Sequence, residues 1–326
     1  MANLTTQYLG LTLKNPLIAG SSGMTGNLQK VIKMEQAGIG AVVLKSLFEE
    51  QIMREAESLI DVGSAYLSEA SNYLLSYVRS SATYEYLQLI ADCKNSVSIP
   101  VIASVNCVST YAWINMARQM EEAGADAVEI NVYYLPNNTK ASKYYERMYF
   151  EIAEKLKKTL KIPFAFKLGS NFTNLIYLVD QLYRRGVAGV VLFNRFYEPD
   201  FDIRTLDVKA SDPFSSPSEM GHSLRWVSLT TGQVPNVDVA ASTGIHSGWD
   251  VIKQVLAGAA ATQISSVLYK NGTEHINRML GDIYEWMAKH NFETLDEFRG
   301  MVRDRDQENM QSMHRLQYMK YIADKQ

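Results

Sequence analysis

The chain has 326 residues, 47% hydrophobic and 21% charged, with 32 basic against 35 acidic side chains and a formal charge of −3. That length suits one α/β barrel with insertions, and the composition is that of a soluble globular protein with a sizeable core. The charge balance argues against nucleic acid or an anionic membrane as partner, because both favour a basic surplus.

The N-terminus, MANLTTQYLG, shows no basic stretch followed by an apolar run, so no signal peptide is expected. From there short apolar runs alternate with longer helical ones. The runs are PLIAG (16–20), AVVLK (41–45), PVIAS (100–104), AVEIN (127–131), PFAFK (163–167), GVVLF (189–193), VDVAA (237–241) and ATQIS (261–265). Their near-continuous hydrophobicity is that of parallel strands buried on both faces. Between the first two, Asn27 precedes LQKVIKMEQAG as a helix N-cap, with Leu28, Val31, Ile32 and Met34 spaced for one face. Helices are expected to end at Gly38, Gly124, Gly186 and Gly258, each shortly before a strand. Eight apolar runs and the recurring helix–glycine–strand rhythm predict a single domain over residues 1–326, a closed TIM (β/α)8 barrel.

Three segments break the rhythm: 47–82, 135–145 and 195–218. Each follows a strand, on the face where barrels of this kind build their sites, and loops this long inside a compact domain serve function. From about residue 290 the chain turns charged and Met-rich, which reads as one or two helices packed on the outside or on a partner subunit. No run reaches the ~18 apolar residues of a membrane-spanning helix. Cys93 and Cys107 are too few for a disulfide framework and read as reduced thiols, consistent with a cytoplasmic protein. The five histidines lack metal-ligand spacing, so no metal is expected. His246 follows directly on a turn that could meet a cofactor.

Two signals carry chemistry. After the seventh run stand Ser242, Thr243 and Gly244, and after the eighth stand Ser265 and Ser266. Loops at these two positions form the phosphate site of the fold, where backbone N–H groups meet the anion; the alternative is two tight turns. The second signal is a lysine closing an apolar run, Lys45 and Lys167. Such a lysine needs a partner if buried, can stabilise negative charge on a reduced flavin, or can snorkel to the rim. Asn131 and Asn194 end the fourth and sixth runs, where their amides can hold a heterocycle or cap the strands.

On these residues the chain resembles the dihydroorotate dehydrogenase family along nearly its whole length. TTQYLGLTLKNPLIAGSSG is similar to the family's N-terminal hairpin and flavin-contacting turn, filled here by Gly20, Ser21 and Ser22. AVVLKS resembles the segment whose lysine lies against flavin and substrate, which points to Lys45 and Ser46. FKLG resembles the flavin-contacting lysine segment, hence Lys167. STGIHSG and ISSVLYKNG resemble the segments that hold the FMN phosphate, hence Ser242, Thr243, Gly244, Ser265 and Ser266. VLFNR resembles the segment whose asparagine binds the pyrimidine, hence Asn194.

The resemblance implies FMN as cofactor, bound with help from Asn131, and a dihydropyrimidine-like small-molecule substrate oriented by Asn131, Asn137 and Asn194. It also implies a soluble electron acceptor and a homodimer. The sequence departs from the family where its Asn-Leu-Ser-Cys-Pro-Asn motif supplies a cysteine or serine base. Here the segment is Asn131-Val132-Tyr133-Tyr134-Leu135-Pro136-Asn137, one residue longer. Counting from Asn131 puts Tyr134 at the base position, and counting back from Pro136 puts Leu135 there. Tyr134, assisted by Lys45, is the expected catalytic pair, because tyrosine with a reference pKa of ~10 needs a nearby cation to give up its proton. The family's orotate loop is also absent, with only Asn72 in the corresponding stretch. Two other readings are a barrel lyase or isomerase without flavin, acting on a phosphorylated substrate through a lysine Schiff base, and a flavin-binding protein without dehydrogenase activity.

Overall fold

A computed structural model describes residues 2–48, 68–106, 110–132, 137–196, 198–303 and 319, the side chains of 68–80, 110–112 and 210 excepted. Eight parallel strands close the barrel: β3 (Leu17–Ala19), β4 (Ala41–Val43), β6 (Val101–Asn106), β7 (Ala127–Asn131), β8 (Phe164–Leu168), β9 (Gly189–Leu192), β12 (Asp238–Ser242) and β13 (Ala261–Ile264). They are the eight apolar runs of the sequence. Pairing of β4 with β6 completes the ring.

Side chains alternate across each strand, and the two faces have separate jobs. Leu17, Val42, Val101, Val128, Phe166, Val190 and Val239 point outward into the main core under the helices. Ile18, Ala41, Val43, Ile102, Ala127, Ala165, Val191, Ala240 and Ala261 point into the barrel. Most of these inner residues are small, which leaves room for Tyr8, Leu9 and Leu13 to complete the inner cluster. Those three belong to the hairpin of β1 (Thr6–Tyr8) and β2 (Leu11–Leu13), turned at Leu9 and Gly10 with φ of 55° and 73°. The hairpin is pinned to the N-terminal ends of two strands: Thr6 Oγ1 donates to the Ala260 carbonyl and Leu9 N–H to Asp238 Oδ2. One end of the barrel is therefore plugged with apolar side chains, and the other is left for a site.

The helices follow the expected rhythm. Asn27 caps α1 (Leu28–Gln36), and its side chain accepts from the N–H groups of Gln29 and Lys30. Gly38, Gly124, Gly186 and Gly258 all adopt the positive φ expected of residues that close helices. The three interruptions are only partly loops. The stretch 47–82 contains the short β5 (Leu47–Phe48) and runs into α2 (Ser68–Ser96), whose interspersed Ser and Tyr residues leave no clear helical periodicity in the sequence. The stretch 135–145 runs into a helix at Ser142. The stretch 195–218 holds an antiparallel hairpin, β10 (Pro199–Asp202) and β11 (Asp207–Ala210). Beyond residue 303 only Met319 is described, so most of the C-terminal extension lies outside the described residues, as does Cys107. Cys93 is a buried free thiol whose pKa burial pushes up to about 11.

Candidate functional site

Moving two residues along an inward-facing strand leads from the apolar floor to a polar layer. Ala127 is followed by Glu129 and Asn131, Ala165 by Lys167, Ile102 by Ser104, Ala240 by Ser242, and Ala261 by Gln263 and Ser265. Above this layer, at the C-terminal ends of the strands, opens a cavity of about 370 Å³, lined by Lys167, Asn194 and Gln263 together with Ser242–Ile245, Ser265, Ser266 and Ser215. Its size is within the range of small-molecule sites.

Lys167 is buried, and its ammonium donates to Gln263 Oε1 at 2.9 Å. Gln263 Nε2 in turn donates to Glu129 Oε2, and Glu129 Oε1 lies 3.8 Å from the Lys167 nitrogen. The order of the amide is dictated by charge: its oxygen faces the ammonium and its nitrogen the carboxylate. An ammonium has three donors, so Lys167 retains hydrogens for a ligand in the cavity.

Thr243 and Gly244 both have left-handed backbones, φ 79° and 77°. A β-branched residue in this region is a strained outlier, of the kind that clusters at ligand sites. Thr243 Oγ1 donates to the Phe193 carbonyl, and Gly244 N–H donates to Ser215 Oγ at 3.3 Å. Ser215 is fixed from three further sides: its N–H donates to Ser266 Oγ, its carbonyl accepts from Lys270, and its hydroxyl lies 3.3 Å from His246 Nε2. Burial first, and then neighbouring Lys270, hold the His246 imidazole below the usual histidine pKa. Ser265 starts a helix without capping it through its side chain. The hydroxyls of Ser215, Ser242, Thr243, Ser265 and Ser266 line this part of the cavity with the Gly244 backbone, groups of the kind that hold a phosphate. The chemistry of the lining suits a phosphorylated, electron-accepting ring: hydroxyls for a phosphate and a buried ammonium for negative charge on the ring.

The remaining expected residues divide. Gly20 sits where a Cβ would come within 2.7 Å of Ser265 Oγ, so a side chain there would displace that hydroxyl. Ser21 and Ser46 are joined through their hydroxyls at 3.0 Å, and Ser46 continues to Ser104 at 2.7 Å. Ser22 lines the cavity and caps the turn Gly23–Thr25. Asn131 and Asn194 are brought together by a hydrogen bond.

Lys45 differs from the expectation of a buried, partnered lysine. It keeps the inward phase of β4 but stands beyond the strand's end, exposed, in a neighbouring groove with Asn27, Tyr84 and Glu85. Exposure removes the need for a partner, since water solvates the ammonium. Asn137 is exposed, and Tyr134 and Leu135 lie outside the described residues, as does the side chain of Asn72. Among the described residues no group of acidic, His or Cys side chains has the arrangement of a metal site.

Sequence reasoning passed over Glu129, Gln263 and Ser215. The first two were visible as polar residues inside otherwise apolar runs, two positions from an inward alanine. Ser215 carried no local signal, because its importance comes from contacts with residues 29 to 55 positions away. Arg195 was likewise passed over. It lines the cavity and is held by Glu219, whose carboxyl burial alone would raise; hydrogen bonds from Arg195 and the Ser216 backbone bring it below its ordinary value.

Comparison with known proteins agrees with this geometry. The profile of the dihydroorotate dehydrogenase family matches residues 3–287. The chain is 26% identical to the catalytic subunit of dihydroorotate dehydrogenase B (NAD(+)) of Methanocaldococcus jannaschii, over 92% of this chain and 98% of that one. It is 27% identical to dihydroorotate dehydrogenase A (fumarate) of Limosilactobacillus reuteri, covering 82% and 87%. It is also 21% identical to the chloroplastic dihydropyrimidine dehydrogenase (NADP(+)) of Arabidopsis thaliana, covering 91% and 76%.

Proposed function

The chain belongs to the dihydroorotate dehydrogenase family, and we propose that it is an FMN-dependent oxidoreductase acting on a CH–CH bond of dihydroorotate or a related cyclic amide. One observation supports this most directly: the same cavity is lined by a buried, tethered ammonium and by the hydroxyl-rich turns that end β12 and β13. FMN, when bound, supplies a two-electron acceptor for the hydride that leaves the substrate. Lys167 stabilises negative charge at the ring edge as electrons arrive, without any reorganisation at that moment. Gly20, Ser21, Ser22 and Ser46 bound the ring from β3 and β4. Ser242, Thr243, Gly244, Ser265 and Ser266 hold the phosphate, with Ser215 exchanging its own contacts for those of the anion.

Asn131 and Asn194 present paired amides to the substrate's N–H and C=O groups, with the exposed Asn137 as a further amide and Lys45 acting from the neighbouring groove. The proton that leaves with the hydride goes to the phenolate oxygen of Tyr134, the Lys45 charge favouring that deprotonated form. The product is a C=C bond, one hydride having gone to the flavin and one proton to the protein.

The proposal includes a homodimer. The β10–β11 hairpin alternates strictly: Asp200, Asp202, Asp207 and Lys209 share one face and Phe201 pairs with Val208 on the other. Phe201, Ile203, Leu206 and Val208 are 67%, 86%, 87% and 64% exposed. A two-stranded hairpin with a bare apolar face is marginal alone, and a second copy would cover it. A cytoplasmic location accompanies this reading, supported by the free thiol of Cys93.

The test is the visible spectrum of the purified protein followed by anaerobic titration with dihydroorotate. A flavin band that bleaches on titration is expected. A colourless protein that takes up no FMN supplied in excess overturns the proposal. A yellow protein that no dihydropyrimidine bleaches would leave only flavin binding.

A further inference from the structure

We propose that Glu129 is a positioning residue which, through Gln263, holds the Lys167 ammonium at the floor of the cavity and sets how readily the bound flavin accepts electrons. The inference rests on the FMN reading above.

Three side chains from three strands meet here, and all are withdrawn from water: Glu129 is 1% exposed, Gln263 3% and Lys167 7%. Lys167 and Gln263 line the cavity, whereas Glu129 lies beneath them and touches nothing in it. A buried carboxylate with no ligand to bind must have its charge compensated. Lys167 provides the compensation, but not by the shortest route. The direct N···O separation is 3.8 Å, beyond hydrogen-bond range, while the amide of Gln263 spans the two groups with a hydrogen bond to each. Glu129 Oε1 makes no hydrogen bond at all.

If pairing were the purpose, a direct bond would satisfy that oxygen and spend a lysine hydrogen. The observed arrangement instead holds the nitrogen toward the cavity, anchored by one bond to Gln263, with donors unspent. Glu129 thereby does two things to a flavin above Lys167. It fixes the height and direction of the ammonium, and its own charge offsets part of the positive field felt by the ring. In a site of low dielectric even a partly compensated charge close to a bound flavin would act on its reduction.

The experiment compares the midpoint potential of FMN-loaded wild type with Glu129→Gln and Lys167→Gln, by anaerobic dye equilibration. Removing the carboxylate should move the potential in the positive direction, and removing the ammonium in the negative direction. Sulfite affinity of the oxidised flavin, read from its spectrum without substrate, should rise in the first variant and fall in the second. The double variant removes both charges, leaves no uncompensated ion, and serves if a single variant does not fold; its potential should lie above that of Lys167→Gln. An E129Q protein that binds FMN one-to-one with an unshifted potential overturns the inference, as does a double variant matching Lys167→Gln. Wild type that binds no FMN overturns the functional reading as well, so the two failures are told apart at the first step.

Discussion

Asn194 Nδ2 donates to Asn131 Oδ1 at 2.9 Å, although 63 residues separate them. The bond runs from the end of β9 to the end of β7, across the intervening β8 that carries Lys167, with which Asn131 is in register. Each amide has one polar atom engaged in this pairing and one left for a ligand.

Replacing Asn194 by Ala therefore removes a substrate contact and loosens Asn131 at once. A lost hydrogen bond of about 1.4 kcal/mol is worth roughly tenfold. KM for dihydroorotate should rise by about that factor while flavin content, read from the visible spectrum, stays at the wild-type level. Unchanged KM would remove Asn194 from the substrate site.

For the proton, the expected acceptor is Tyr134, outside the described residues. General-base groups contribute about 10²–10⁴-fold. Tyr134→Phe should slow bleaching of the flavin by substrate in stopped-flow measurements by at least about a hundredfold, with FMN binding intact. Bleaching at the wild-type rate would assign the proton elsewhere.

Gly244 has φ 77°, and a Cβ there would lie 2.4 Å from the Met220 backbone nitrogen. Both the left-handed strain and a contact with backbone oppose any side chain. Gly244→Ala should cost about 2–3 kcal/mol of stability by denaturant titration, and FMN retention through gel filtration should fall with it. A wild-type midpoint would mean the turn relaxes freely.

His246 gives a pH signature. Its pKa in the folded chain is below the ordinary value of 6.5, because burial and then Lys270 disfavour the imidazolium. The unfolded chain therefore binds more protons between the two values, and folding stability from this group is complete above 6.5 and lost as pH falls through the folded value. Urea midpoints should decline on acidification from pH 7 more steeply for wild type than for His246→Gln. Parallel curves would show that His246 does not titrate against burial.

The hairpin predicts the assembly. Placing a charge in the apolar face with Phe201→Asp or Leu206→Asp should halve the sedimenting mass while thermal stability of the barrel is little changed. A wild-type monomer at micromolar concentration would end the homodimer proposal.

The architecture was legible because it depends on local pattern. Eight apolar runs, an asparagine cap at Asn27 and glycines after helices are each written within about ten residues, and all were found where expected. That Ser242–Gly244 and Ser265–Ser266 form turns at strand ends was legible for the same reason: each is one short segment. The site's working contacts were not. Lys45 and Lys167 look alike in sequence, each closing an apolar run, yet one is exposed at the rim and the other is held inside by Gln263, 96 residues away. Glu129 and Ser215 likewise matter through partners on distant strands and loops. Backbone periodicity settles which residues face inward, but whether an inward charge meets water or a counter-charge is fixed only when the ring of strands closes and sets distant side chains within bonding distance.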